Sequence, residues 1–197
     1  MKLKDSKTYL NLAAAFAGEC QARTRYEFVE YGARKEGYKA LADIIDKVAY
    51  QEFTHARLLY SFIQSADENC IADIKICSGY PFKEKWDLTE NLRLAAEDEG
   101  LEATKIYPEF AKTAMDEGFK DIAGLFDNLA KIENCHKMLF ADLYNQMKSG
   151  TLYKKQEVVK WKCPECGYEA CSKEAFQICP VCQAAQGGVM LKLNDNT

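Results

Sequence analysis

"QEFTHARLL" (residues 51–59) sets a carboxylate and an imidazole three residues apart, where the surrounding pattern calls for leucines. The same Glu-x-x-His returns in "IENCHKMLF" (residues 132–140), and these two pairs contain both of the chain's histidines. Around the first pair, Leu41, Ile45, Val48, Glu52, His55, Leu59 and Phe62 follow one another in alternating steps of four and three. Around the second, Ile122, Phe126, Leu129, Glu133, His136, Phe140 and Leu143 do the same. That is the spacing of inward-facing positions in a helical bundle. Both pairs therefore replace core residues halfway along a helix.

Two further helices carry the same interruption. One seam reads Leu12, Phe16, Glu19, Ala22, Tyr26, Val29; the other reads Leu92, Ala95, Glu99, Glu102, Ile106. The pattern predicts helices over residues 8–35, 38–64, 87–115 and 119–148. Asp87 and Glu90 form a capping box at the start of the third, and Pro108 is expected to kink it. Two turns are short, the first of them at Gly37. A long connection holding Gly79 and Pro81 joins the second helix to the third, which suits an all-α four-helix ferritin-like bundle with one crossover. Five carboxylates and two imidazoles then meet at mid-height of one core.

Burying such charges unpaired costs several kcal/mol each, and Arg23 and Arg25 are the only cations close in sequence to Glu19. A pair of metal ions offsets the charge directly. A single Glu-x-x-His on a helix is usually no more than a solvated face. Two of them in the seam, opposite Glu19 and Glu99, form the two-metal constellation of ferritin-like bundles. Oxygen-rich ligation with one imidazole per metal suits iron or manganese over zinc or copper, and at this point both remain open.

After Gly150 the pattern changes. "WKCPECGYEACSKEAFQICPVC" holds Cys163, Cys166, Cys179 and Cys182 as two Cys-x-x-Cys knuckles, the pattern of one tetrahedral metal bound by four thiolates. We expect a bundle over 1–150 and a small β-rich metal-binding domain over 151–197, with "EVVKW" and "GGVMLKL" as its strands. So short a segment cannot build much core, so the metal holds it folded. Spacing alone fits zinc as well as iron. A neighbouring two-metal redox site needs a one-electron supply, which favours iron.

Nine cysteines in one chain point to metal in a reducing compartment before disulfides. Cys20, Cys70, Cys77, Cys135 and Cys171 are expected to be ordinary thiols. Cys135 adjoins His136 but lies about 100° around the helix from it. A net charge of -4 and a pI near 5.4 argue against nucleic acid or an anionic membrane as partner. No apolar run reaches the roughly 18 residues of a membrane span, and "MKLKDSKTYL" lacks a signal-peptide core. A cytoplasmic protein is expected.

The order "FAGECQARTRYEFV", "QEFTHARLL", "EDEGLEATKIYPEFA", "IENCHKMLF", "CPECGY…CPVC" resembles the rubrerythrin family over nearly the whole chain. Glu-x-x-Glu shortly before Tyr-Pro is the family's most discriminating element. Of Glu97, Glu99 and Glu102, both the count back from Tyr107 and the helical seam select Glu99 and Glu102. The resemblance implies that Glu52 and Glu133 bridge two irons, with Glu19 and Glu102 on one, Glu99 and His136 on the other. His55 reaches for the same iron as Glu102. Tyr26 and Tyr107 fall where the family hydrogen-bonds its ligand carboxylates, and the four cysteines hold a rubredoxin-like iron. It further implies a homodimeric, NAD(P)H-linked peroxidase for hydrogen peroxide, supplied by a rubredoxin or flavoprotein reductase. The chain departs from the family in Cys171 and in "QAAQGGVM" after the second knuckle. Ferroxidase chemistry, or a zinc ribbon recruiting a partner to a helical scaffold, are the alternatives to that activity.

Overall fold

The computed structural model describes residues 1–66, 73–76 and 87–193. Helix α1 spans Lys7–Lys35, with Ser6 Oγ accepting the Tyr9 N–H at its start. At its end the Tyr38 N–H reaches back to the Ala33 carbonyl, and Gly37 takes a φ of 88° that a side chain would resist. Helix α2, Lys39–Ser65, follows at once and packs along α1 as an antiparallel hairpin. Helix α3, Leu88–Leu101, is capped by Asp87, whose Oδ1 accepts the Glu90 N–H at 2.8 Å. After a break, α4 covers Tyr107–Asp116 and α5 covers Lys120–Ser149; α3 and α4 together lie along α5. These two hairpins make the four-helix bundle expected. Gly79 and Pro81 fall outside the described residues, as do Cys70 and Cys77.

The break between α3 and α4 differs from the expected kink. Residues Glu102–Ile106 form a π-helical turn. Pro108 has no N–H to offer the preceding turn and its ring crowds the carbonyl four residues back. One widened turn absorbs that conflict while the chain continues in the same direction.

The seams behave as read. Leu41, Ile45, Leu59, Leu92, Phe126, Leu129, Phe140 and Leu143 are buried in two apolar clusters. The carboxylate belt lies between the two. No helix among the described residues is long and apolar enough to cross a membrane.

In the tail, β1 (Lys154–Lys162) pairs antiparallel with β2 (Glu169–Glu174). "EVVKW" lies in β1 as expected, but "GGVMLKL" is not a strand. It opens in a 3-10 turn at Gln186–Gly188, and the Met190 N–H then donates to the Lys162 carbonyl. Its role is packing: Val189 is buried against Trp161 and Ala175. The true second strand, "EACSKE", has no apolar alternation to announce it. It is held by backbone pairing and by cross-strand Lys160–Glu169 at 3.0 Å.

The tail rests on the bundle's end at the α1–α2 turn. A Cβ on Gly187 would overlap the Gly37 carbonyl oxygen, so the two backbones can touch only because residue 187 has no side chain. Lys39 pairs with Glu165 beside the first knuckle. Gln146 of α5 donates to the Lys192 carbonyl and accepts from Lys155 Nζ at 2.6 Å.

Candidate metal centre

Each of the helices α1, α2, α3 and α5 delivers one buried glutamate to the same level. Glu19, Glu52, Glu99 and Glu133 are each no more than 2% exposed. Their helical steps put them in seams otherwise filled by leucine and phenylalanine, so none can turn to water without unpacking its helix. His55 and His136 are buried beside them, with ring centroids 5.9 Å apart.

The donors fall into two overlapping groups. Glu19, Glu52, His55 and Glu133 converge within 4.8 Å of one another, and so do Glu52, Glu99, Glu133 and His136. Glu52 and Glu133 belong to both. His55 Nδ1 lies 3.0 Å from Glu52, 3.2 Å from Glu133 and 3.4 Å from Glu19. His136 Nδ1 lies 2.7 Å from Glu133, 3.1 Å from Glu52 and 3.8 Å from Glu99. Both rings thus present the same nitrogen to the cluster.

In the bare chain these groups settle their charges with protons. Burial pushes the Glu19 carboxyl well up, with His55 opposing and the charges of Glu52 and Glu133 adding to the rise. Burial likewise lifts Glu99 to about 8. Burial also acts against ionisation of Glu52, yet hydrogen bonds from both imidazoles pull it down to about 2. The imidazoles are raised to about 12, the carboxylates around them overcoming burial. Neither arginine near Glu19 serves the cluster. Arg23 pairs with Glu27 and stacks on Phe53, and Arg25 faces Asp98 at 3.4 Å.

Glu19 Oε2, Glu52 Oε1, Glu99 Oε2, both Glu133 oxygens and His136 Nδ1 are buried without a well-aligned hydrogen bond. Several lie within 3.2 Å of an opposite charge and still fail to align, because they aim at shared points between the residues. Orphaned hard oxygens in two groups, with one imidazole nitrogen each, fit a pair of iron ions.

The tyrosines stand where expected: the Tyr26 hydroxyl donates to Glu99, and the Tyr107 hydroxyl donates to Glu19. Glu102 stands apart. It opens the π turn, is partly exposed, faces Gly18 of α1, and belongs to neither four-donor group. Burial and the charges of Glu99, Glu133 and Glu52 nonetheless push its carboxyl well up, so it borders the cluster. Glu97, which the seam leaves out, is exposed and pairs with Arg93. One polar residue escaped the seam reading altogether: Gln51 Oε1 lies 2.9 Å from His136 Nε2.

In the tail, Cys163, Cys166, Cys179 and Cys182 bring their sulfurs within 4.8 Å of one another. Each knuckle folds on itself in the same way. The Gly167 N–H returns to the Cys163 carbonyl, and the Gln183 N–H returns to the Cys179 carbonyl. Both turns need a left-handed residue, Gly167 at φ 79° and Gln183 at 64°. Against the effect of burial, the N–H groups of Cys182 and Val181 bring the Cys179 thiol down to about 7. Cys171 is exposed on β2 and outside the cluster, while Cys20 and Cys135 are exposed on the bundle.

The family model for rubrerythrin matches residues 11–159. Rubrerythrin of Porphyromonas gingivalis is 39% identical over 184 residues, covering 93% of this chain and 89% of that one. Rubrerythrin of Clostridium perfringens is 41% identical over 180 residues, covering 91% of each. Among solved structures, nigerythrin in a mixed-valence state superposes with a TM-score of 0.62 at 25% identity, covering 95% of this chain and 90% of that one.

Proposed function

This chain belongs to the rubrerythrin family of di-iron oxidoreductases, and on that premise we propose that it reduces hydrogen peroxide to water. Residues 1–150 form the reacting unit and residues 151–197 the electron-delivering one. The observation that carries the reading is the pair of four-donor groups sharing Glu52 and Glu133, in one chain with a four-thiolate cluster.

A pair of ferrous ions bound there would supply the two electrons that cleaving an O–O bond requires. The chain's own part is to hold two such ions as a unit. Glu52 and Glu133 can reach both positions; Glu19 and His55 complete one, Glu99 and His136 the other. Tyr26 and Tyr107 fix the two outer carboxylates by donating to them, and burial keeps bulk water out. We read Glu102 as an alternative donor to His55, an anionic oxygen where His55 offers neutral nitrogen.

Cys163, Cys166, Cys179 and Cys182 would hold an iron able to return electrons one at a time. A rubredoxin or flavoprotein reductase, fed by NAD(P)H, supplies them. Along α2 the rise from Lys39, beside the first knuckle, to Glu52 is about 20 Å. That separation within one chain supports a homodimer in which each tail serves the other bundle.

Anaerobically reduced protein mixed with one equivalent of hydrogen peroxide per bundle should consume it within one turnover, forming two waters for two electrons. Peroxide left untouched by a fully loaded, reduced bundle would overturn the reading. An iron bound by four thiolates is red, so Cys166→Ser should perturb that colour and sharply lower reductase-linked turnover while sparing this single reaction.

A further inference from the structure

The two Glu-x-x-His pairs look equivalent in sequence, but the residue before each is not. Gln51 precedes Glu52, whereas Ile132 precedes Glu133. Gln51 leaves α2 towards α5, and its Oε1 meets His136 Nε2 at 2.9 Å. Ile132, at the matching place on α5, has no acceptor to offer. Among the described residues His55 Nε2 has no hydrogen-bond partner, so the repeat supports the outer nitrogen of one imidazole only.

An amide oxygen can only accept. Its contact with Nε2 therefore places a proton on that nitrogen. In a neutral ring the lone pair is then left on Nδ1, which faces Glu133, Glu52 and Glu99. Fixing one ring nitrogen as a donor also fixes the ring's rotation and makes the other nitrogen a better ligand. We infer that Gln51 is a positioning residue, locking His136 as the Nε2–H tautomer and making its metal position the more tightly held of the two. This rests on the two-metal reading of the bundle. The His55 position, lacking such a clamp, is the looser one.

The arrangement has a steric logic. Gln51 is one residue from Glu52, about 100° around α2, so it points out of the seam and reaches along the surface to the neighbouring helix. A side chain of this length can touch the back of the His136 ring while Glu52 touches its front. One helix thus grips the imidazole of another from both sides, and Gln51 can change without opening the core.

The full-length protein loaded with zinc is diamagnetic and suits the test. Long-range proton–nitrogen correlation on its two histidines should show His136 with a slowly exchanging Nε2 proton and metal on Nδ1. In Gln51→Leu that proton should exchange at least about tenfold faster. One of the two bundle zincs should also pass to a chelator about tenfold faster, the scale expected for losing such a partner. Gln51→Glu, which keeps an acceptor in place, should restore slow release. A wild-type His136 carrying its proton on Nδ1 would overturn the inference, as would two zincs leaving Gln51→Leu at wild-type rates. A bundle that binds no second zinc would instead sink the two-metal reading itself.

Discussion

Glu102 alone among the five seam carboxylates keeps a partial opening to solvent, and both four-donor groups are complete without it. Glu102→Ala should therefore leave both bundle metals bound and slow peroxide turnover by about tenfold or more, the scale of a lost positioned donor. Metal content and steady-state rate, measured on one preparation, decide the point; a missing metal would make Glu102 a structural ligand. Gln183 gives a second test. It holds a left-handed conformation that costs a side chain about 1 kcal/mol, so Gln183→Gly should raise the tail's resistance to unfolding by up to that amount. Thermal bleaching of the four-thiolate chromophore reads it out. The metal donors were legible because steps of three and four translate directly into a helix face. Gln51 was not, since its place outside the seam makes it look like any solvated residue. Its value appears only when α5 is set beside α2.

At the scale of elements, the third helix shows what periodicity misses. Eight residues of regular α-helix separate Glu99 from Tyr107 and would leave them about 80° apart. The π turn takes up part of that rotation, so Glu99 meets Tyr26 while Tyr107 meets Glu19. The sequence marked the place with Pro108 but not the form. The tail's second strand was hidden for another reason: a two-stranded sheet with one buried face needs little apolar alternation, and a metal substitutes for core. Convergence of the four long helices has a thermodynamic signature. Without metal, Glu19, Glu99 and Glu102 have folded pKa values above their unfolded ones, as do both histidines. The folded state then binds more protons. This contribution is complete below the unfolded pKa of each group and is lost as pH rises through the folded one. Glu52, depressed to about 2, acts oppositely, its contribution fading as pH falls from about 4.5 towards 2. Metal-free protein should be most stable near pH 5 and lose melting temperature towards pH 8 and above. A melting temperature constant from pH 5 to 8 would mean the carboxylates do not converge.

For the whole molecule, the seat of the tail on the α1–α2 turn sets how its cluster is aimed. Gly187→Ala would drive a methyl group into the Gly37 carbonyl, whereas a Cβ at Gly188 meets only the Lys39 side chain at 3.9 Å. Gly187→Ala should therefore lower reductase-linked turnover several-fold with the chromophore and the single-equivalent peroxide reaction intact. Gly188→Ala should be neutral in the same stopped-flow comparison. The seat also links two parts of the chain that share no ligand. The four-thiolate metal keeps the tail folded, and the folded tail covers the turn where α1 hands over to α2. The amide protons of Gly37 and Tyr38, bonded back to the carbonyls of Arg34 and Ala33, lie beneath it. Selective removal of the tail metal should speed their exchange with deuterium, while amides midway along α2 exchange as before. A metal held wholly by the tail would then set how often the neighbouring end of the bundle breathes.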